Sequence, residues 1–191
     1  LYLAAETYQR ALQLIGDYPP SHAAVAYLGL ARIYYEWNDL NTAEQYGEKS
    51  FQLAQQYDQV IDRLILSELF LARLKMARGD ATGAARILSQ AEQTSRQKNF
   101  TLRLLDIAAT QVLIHLRQGN IEAAAQIAQQ NTMPIFQARV LIAQKDPSAA
   151  LKILEPMQPE MEAKGMLDRV FRVMALESIA LYENGEKEKA V

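Results

Sequence analysis

The chain has 191 residues, half of them hydrophobic, 8% aromatic and 22% charged, with no cysteine and a formal net charge of −2. That length is ample for a buried core. The missing cysteines exclude a disulfide framework and thiolate chemistry, and a pI of about 5.8 argues against direct nucleic-acid contact, which calls for a basic face.

Gly and Pro are scarce and Ala, Leu, Gln and Glu abundant, a composition that favours helix. The opening segment carries Ala4, Tyr8 and Ala11 at helical spacing, and Gly16-Asp17-Tyr18-Pro19-Pro20-Ser21 reads as a linker. A helix follows with Tyr27, Leu30, Ala31 and Tyr34 at i, i+3, i+4 and i+7, then a second with Ala43, Gly47 and Ser50. After a linker around Tyr57-Asp58 the pattern returns as Glu68, Leu71, Ala72 and Lys75, then Ala84, Leu88 and Ala91. Further linkers are expected around Lys98-Asn99 and near Pro156 to Pro159, and Thr132-Met133-Pro134 reads as a break before a short helix. No apolar run approaches the roughly 20 residues of a membrane span and no signal peptide is evident. A start at Leu1 and a stop at Val191 within an apparent helix suggest a piece of a longer chain.

One short turn recurs five times: Asn38-Asp39-Leu40-Asn41-Thr42-Ala43, Gly79-Asp80-Ala81-Thr82-Gly83-Ala84, Gly119-Asn120-Ile121-Glu122-Ala123-Ala124, Lys145-Asp146-Pro147-Ser148-Ala149-Ala150 and Gly185-Glu186-Lys187-Glu188-Lys189-Ala190. The final alanines lie 41, 40, 26 and 40 residues apart. Gly or Asn leads because a helix commonly ends on a left-handed residue. Asp or Asn follows as an N-cap for the next helix. Pro147 suits the first helical position, where no N–H is needed, and the small Ala lets the two helices lie close. Lys145 in the first place and Glu186 in the second break the pattern, so those two turns should be weaker.

Neither helix of such a pair can bury its apolar stripe alone, whereas stacked pairs share one continuous core. The large residue, Leu, Gly or Ala, Tyr, then Ala, aromatic and Ala of these rows match the tetratricopeptide (TPR) pattern, well in the first full repeat and partly in the rest. The reading is an all-α, TPR-like α-solenoid over 1–191, a right-handed superhelix of antiparallel helix pairs. It has about five repeats of roughly 40 residues, longer than the usual 34.

The stretch Leu28-Gly29-Leu30-Ala31-Arg32-Ile33-Tyr34-Tyr35-Glu36-Trp37-Asn38-Asp39-Leu40, followed by Leu71-Ala72-Arg73-Leu74-Lys75-Met76-Ala77-Arg78-Gly79-Asp80, resembles the TPR-like sensor region of MalT-type bacterial transcriptional regulators, the large ATP-dependent members of the LuxR class. The resemblance implies a cytoplasmic parent protein with an N-terminal nucleotide-binding domain and a C-terminal helix-turn-helix domain. In such a parent the solenoid receives a small-molecule effector or a regulatory protein and promotes ATP-dependent self-association. This chain has no Gly-rich phosphate loop, so ATP is expected only in the parent, and no cofactor is expected here.

In the repeat register Arg32, Arg73 and Arg139 each follow an Ala and occupy equivalent positions facing the concave groove. Three guanidiniums on one curved surface suit an anion, an acidic peptide or a polyhydroxylated sugar; the plainer reading is solvated or ion-paired surface charge. Tyr35 and Glu36, one turn further on, could join them as an aromatic–carboxylate pair, against the plainer reading of a packing Tyr and a surface Glu. Trp37 is expected to wedge between repeats, and His115 to fill a core position. Two distant histidines without cysteine make no metal site, and no nucleophile–base arrangement supports an enzyme. Three readings remain: a ligand- or partner-binding sensor domain, a scaffold gripping a peptide or regulatory protein in the same groove, or a purely structural spacer between domains.

Overall fold

A computed structural model describes residues 1–15, 21–57 and 60–190. Among them there is no strand, and the fold is all-α, a TPR-like helical-repeat solenoid. The chain divides into two units, residues 1–110 and 111–191, and each is taken in turn. No helix among the described residues is long and apolar enough to cross a membrane.

The first unit holds α1 (Tyr2–Ile15), α2 (Ser21–Glu36), α3 (Leu40–Gln56), α4 (Ile61–Ala77) and α5 (Ala81–Gln97); α6 (Leu104–Arg117) runs across the division. From α1 through α5 consecutive helices pack in turn, α1 on α2, α2 on α3, α3 on α4 and α4 on α5, and α2 also touches α4, so the first helices of successive repeats lie side by side. Small residues set these distances. Ala43 and Ala84 are completely buried. A Cβ on Gly47 of α3 would stand 2.7 Å from Cε1 of Phe70 on α4, and one on Gly29 of α2 would collide with the ring of Tyr8 on α1. In α1 the buried row is Ala5, Tyr8 and Leu12 rather than one starting at Ala4, which is exposed. Tyr8 lying over Gly29 sets that register. A polar thread crosses the three-helix junction: Ser50 Oγ donates to Ala24 O (2.8 Å), Ser67 Oγ donates to Arg63 O (2.9 Å), and the two hydroxyls lie 2.9 Å apart.

The second unit continues with α7 (Ile121–Gln130), α8 (Pro134–Ala143), α9 (Pro147–Leu154), α10 (Met157–Ala163), α11 (Leu167–Glu183) and a 3-10 turn, Lys187–Lys189. Here α8 packs on α7, α9 and α11, and α11 on α9 and α10. Leu154, Val173 and Ala180 are fully buried in its core, beside Ala138 and Ala150. The short helix expected after Thr132-Met133-Pro134 is α8, with Pro134 at its start.

All five expected turns form, and all share one geometry. The leading residue has positive φ (Asn38 59°, Gly79 83°, Gly119 78°, Lys145 65°, Gly185 88°). Its N–H bonds back to the carbonyl three residues earlier, and the next N–H to the carbonyl five residues earlier, as in Asn38 N to Tyr35 O (3.0 Å) and Asp39 N to Tyr34 O (2.9 Å). Lys145 closes its turn with the same two bonds (3.0 and 2.9 Å), so the exchange of Gly for Lys leaves the architecture intact. Its cost is the left-handed strain of a side-chain-bearing residue, about 1 kcal/mol. Asp39, Asp80 and Asp146 cap the next helix as expected, accepting from Thr42, Gly83 and Ala149 N–H at 3.1, 2.8 and 3.0 Å. Asn120 does not, because its amide turns to Gln118 Oε1 (3.3 Å). Glu186 caps nothing either, and only a 3-10 turn follows it.

Three further turns of the same form, led by Asn99, Thr132 and Gly165, join one repeat to the next. The linker expected near Pro156 to Pro159 is corrected by this. Glu155 and Pro156 stay helical in φ and ψ, and α10 resumes at Met157 with Pro159 in its first turn, where no donor is required. The chain instead reverses at Lys164-Gly165-Met166. The linkers expected at Gly16 to Ser21 and at Tyr57-Asp58 fall on positions 16–20 and 58–59, outside the described residues.

Candidate functional site

On α2, Arg32, Tyr35 and Glu36 stand at i, i+3 and i+4 and share a face. On the neighbouring α4, Phe70 and Arg73 stand three apart. These five side chains line one small open concavity of about 80 Å³, room for one functional group of a ligand and not for a whole metabolite. Four of the five are expected site residues: Arg32 and Arg73 from the repeat register, Tyr35 and Glu36 from their place one turn beyond Arg32. The fifth, Phe70, one helical turn before Arg73, was not.

The arrangement is built from the core outward. Phe70 is buried, its ring seated over Gly47 of α3. Tyr35 meets that ring edge-on, centroids 6.2 Å apart at 76°. The Arg73 guanidinium then lies over the Tyr35 ring at 5.7 Å, a cation–π contact. Arg32 completes the wall. Partial burial holds its guanidinium below the usual arginine range, and the like charges of Arg73 and, less, Arg103 push it the same way, with only Tyr8 opposing. Glu36 is exposed at the rim. Among the described residues neither Arg32 nor Arg73 has a carboxylate at ion-pair distance.

Several other cations of this unit are matched, although Arg10, Lys49 and Arg86 have no carboxylate at ion-pair distance among the described residues. Arg103, just before α6, donates to both oxygens of Asp62 (2.6 and 3.3 Å) and to one of Asp106 (3.1 Å), and this raises its already high pKa. Arg78 and Lys75 share Glu44 at 2.8 and 3.5 Å.

Arg139, the third arginine of the expected row, lies on α8 in the second unit. Burial lowers its pKa first, and Arg172 of α11 lowers it further. Arg172 was missed because the register points in α11 to Ile179; Arg172 lies two helical turns before it on the same helix face. Trp37 packs between Tyr34 of its own helix (5.3 Å) and Tyr2 of α1 (5.0 Å), bridging one repeat to the helix before it. Tyr27 and Tyr34 are half-buried against Tyr46 of α3. His115 is half-buried on α6 with Nδ1 enclosed and unpartnered. Among the described residues no three His, Cys, Asp or Glu side chains converge as metal ligands would.

No curated protein matches the chain. Comparison with protein families matches the MalT-like TPR region over residues 1–191, the whole chain. With its paired helices and recurring turns, this chain belongs to the MalT-like TPR region family.

Proposed function

We propose that this chain is the ligand- or partner-binding sensor domain of a bacterial ATP-dependent LuxR/MalT-type transcriptional regulator, working by binding rather than catalysis and passing the bound state to the parent's NTPase and DNA-binding domains. The observation that carries this reading is the concavity shared by α2 and α4, the first helices of two successive repeats. A ligand held there touches both repeats at once. In a modular solenoid, where each repeat contacts only its neighbours, bridging two repeats biases the angle between them. That is a differential interaction of the kind a two-state regulator requires. The parent's ATP-dependent self-association is the output such a bias would act on.

The test is thermal stability of the chain across a panel of metabolites, sugars included. A ligand that binds only the folded form raises the melting temperature by mass action, equivalent to about 2.7 kcal/mol at a hundredfold excess over its dissociation constant. A hit that vanishes in Arg73→Ala supports the sensor reading. A flat panel alongside a saturable response to acidic peptides would support a scaffold that grips a regulatory protein instead.

A further inference from the structure

Three features of the first unit bear on what the concavity takes. The first is a difference in how its cations are treated. Arg103, Arg78 and Lys75 each face one or two carboxylates, and Arg96 is paired with Glu92 at 2.7 Å. Among the described residues Arg32 and Arg73 have no such partner, although Glu36 lines the same concavity. The second is orientation. An unpaired surface arginine ordinarily keeps its rotamer freedom, whereas the Arg73 guanidinium lies over Tyr35, at 5.7 Å from the ring centroid, and Tyr35 is itself braced by Phe70. That contact favours the rotamers that keep its donors at the concavity before any ligand arrives. The third is mutual repulsion: two guanidiniums on adjacent helices share one small opening, and the one carboxylate in its wall, Glu36, is not at ion-pair distance from either.

We propose that Arg32 and Arg73 form an anion site, taking a single carboxylate or phosphoryl group of a small-molecule ligand between α2 and α4. This rests on the binding role proposed above for the same concavity and names its chemistry. Planar guanidiniums match the oxygens of a carboxylate or phosphate with paired, charge-assisted hydrogen bonds, and an anion removes the repulsion that a neutral sugar hydroxyl would leave standing. The size of the concavity fits one such group, with the rest of the ligand lying outside it. Tyr35 acts as a positioning residue through Arg73.

The experiment titrates the 191-residue chain with inorganic phosphate and, separately, with citrate, against sodium chloride at matched ionic strength. Melting temperature and calorimetric binding are read together. The expected result is a saturable rise with phosphate, citrate or both, and none with chloride. The arm that responds more strongly tells phosphoryl from carboxylate. Arg32→Gln and Arg73→Gln should each weaken the dissociation constant about tenfold or more, the effect of losing a charged hydrogen bond. Arg73→Lys, which keeps the charge and loses the fork, should weaken it as well, and Arg96→Gln should not. Far-UV circular dichroism checks that each variant is folded. An equal response to chloride, a response that survives both Gln variants, or no response to either anion overturns the proposal. A neutral metabolite found in the thermal panel would then leave the sensor reading standing without it. Conversely, anion binding lost in both Gln variants, with no effect on the parent's self-association, would keep the anion site and remove the sensor role.

Discussion

Two arginine clusters occupy the first unit, and they are handled in opposite ways. Arg103 is clamped by Asp62 and Asp106 through three charge-assisted hydrogen bonds, two of which tie the start of α4 to the start of α6. Arg32 and Arg73 are set on adjacent helices with no carboxylate at ion-pair distance among the described residues, one of them over a tyrosine ring. The first arrangement is what a fold uses for its own stability. The second stores unfavourable electrostatics on a braced surface. The same helix α4 carries an internal counterpart: Glu68 is 4% exposed, its Oε2 has no partner, and burial alone pushes its pKa up to about 7. Matched charges stabilise; unmatched ones are tolerated at a cost, and they mark where to look for function.

The largest expected effect sharpens this contrast from the acidic side. Glu68 binds its proton more tightly in the folded chain than in the unfolded one, where its pKa is near the ordinary 4.5. Its favourable contribution is therefore complete below about pH 4.5 and is lost as pH rises towards 7, by on the order of 3 kcal/mol as an upper bound. Glu68→Gln should raise the melting temperature at pH 8 and flatten its fall between pH 5 and 8. A parallel pH profile in the variant would show that Glu68 is compensated.

Next in size is Gly47→Val, which tests whether the core braces the arginine pair. The new side chain must displace Phe70, and such overpacking costs about 1–3 kcal/mol. Because Tyr35 and Arg73 are stacked in series on Phe70, phosphate affinity should fall along with stability. Unchanged affinity in a destabilised variant would uncouple the pocket from its support.

Asp62→Asn and Arg32→Gln address the comparison head on. Removing the Asp62 charge from Arg103 should cost about 1 kcal/mol in urea unfolding, since both partners are only partly screened. Neutralising Arg32 should shift stability by no more than about 0.5 kcal/mol, in the stabilising direction. If Arg32→Gln destabilised the chain as much as Asp62→Asn, Arg32 would be structural and the two clusters would be alike.

Much of this fold is written in local chemistry. Asn38, Gly79, Gly119 and Gly185 announce their turns because a left-handed residue is required there, and Asp39, Asp80 and Asp146 announce the helices that follow. Thr132 and Lys145 adopt the same conformation with side chains ill suited to it. Packing of the flanking helices imposes the turn there, so the residue type carries little of the signal. Pro156 and Pro159 misled because proline near a helix start costs no hydrogen bond, and Gly165 then went unnoticed as the true reversal.

The candidate site was legible as far as the repeat register reached. Equivalent positions on successive first helices become spatial neighbours, which is why Arg32 and Arg73 meet. Arg172, off the register, was invisible. So was the missing partner of Glu68, which depends on what the surrounding helices leave out.

The most direct test of the contrast is the Nε–Hε NMR resonances of Arg32, Arg73 and Arg103 during a phosphate titration at constant ionic strength. The account predicts that Arg32 and Arg73 shift together along one saturable curve while Arg103, already held by Asp62 and Asp106, stays fixed. Movement of all three in proportion to salt, or of none, would contradict it.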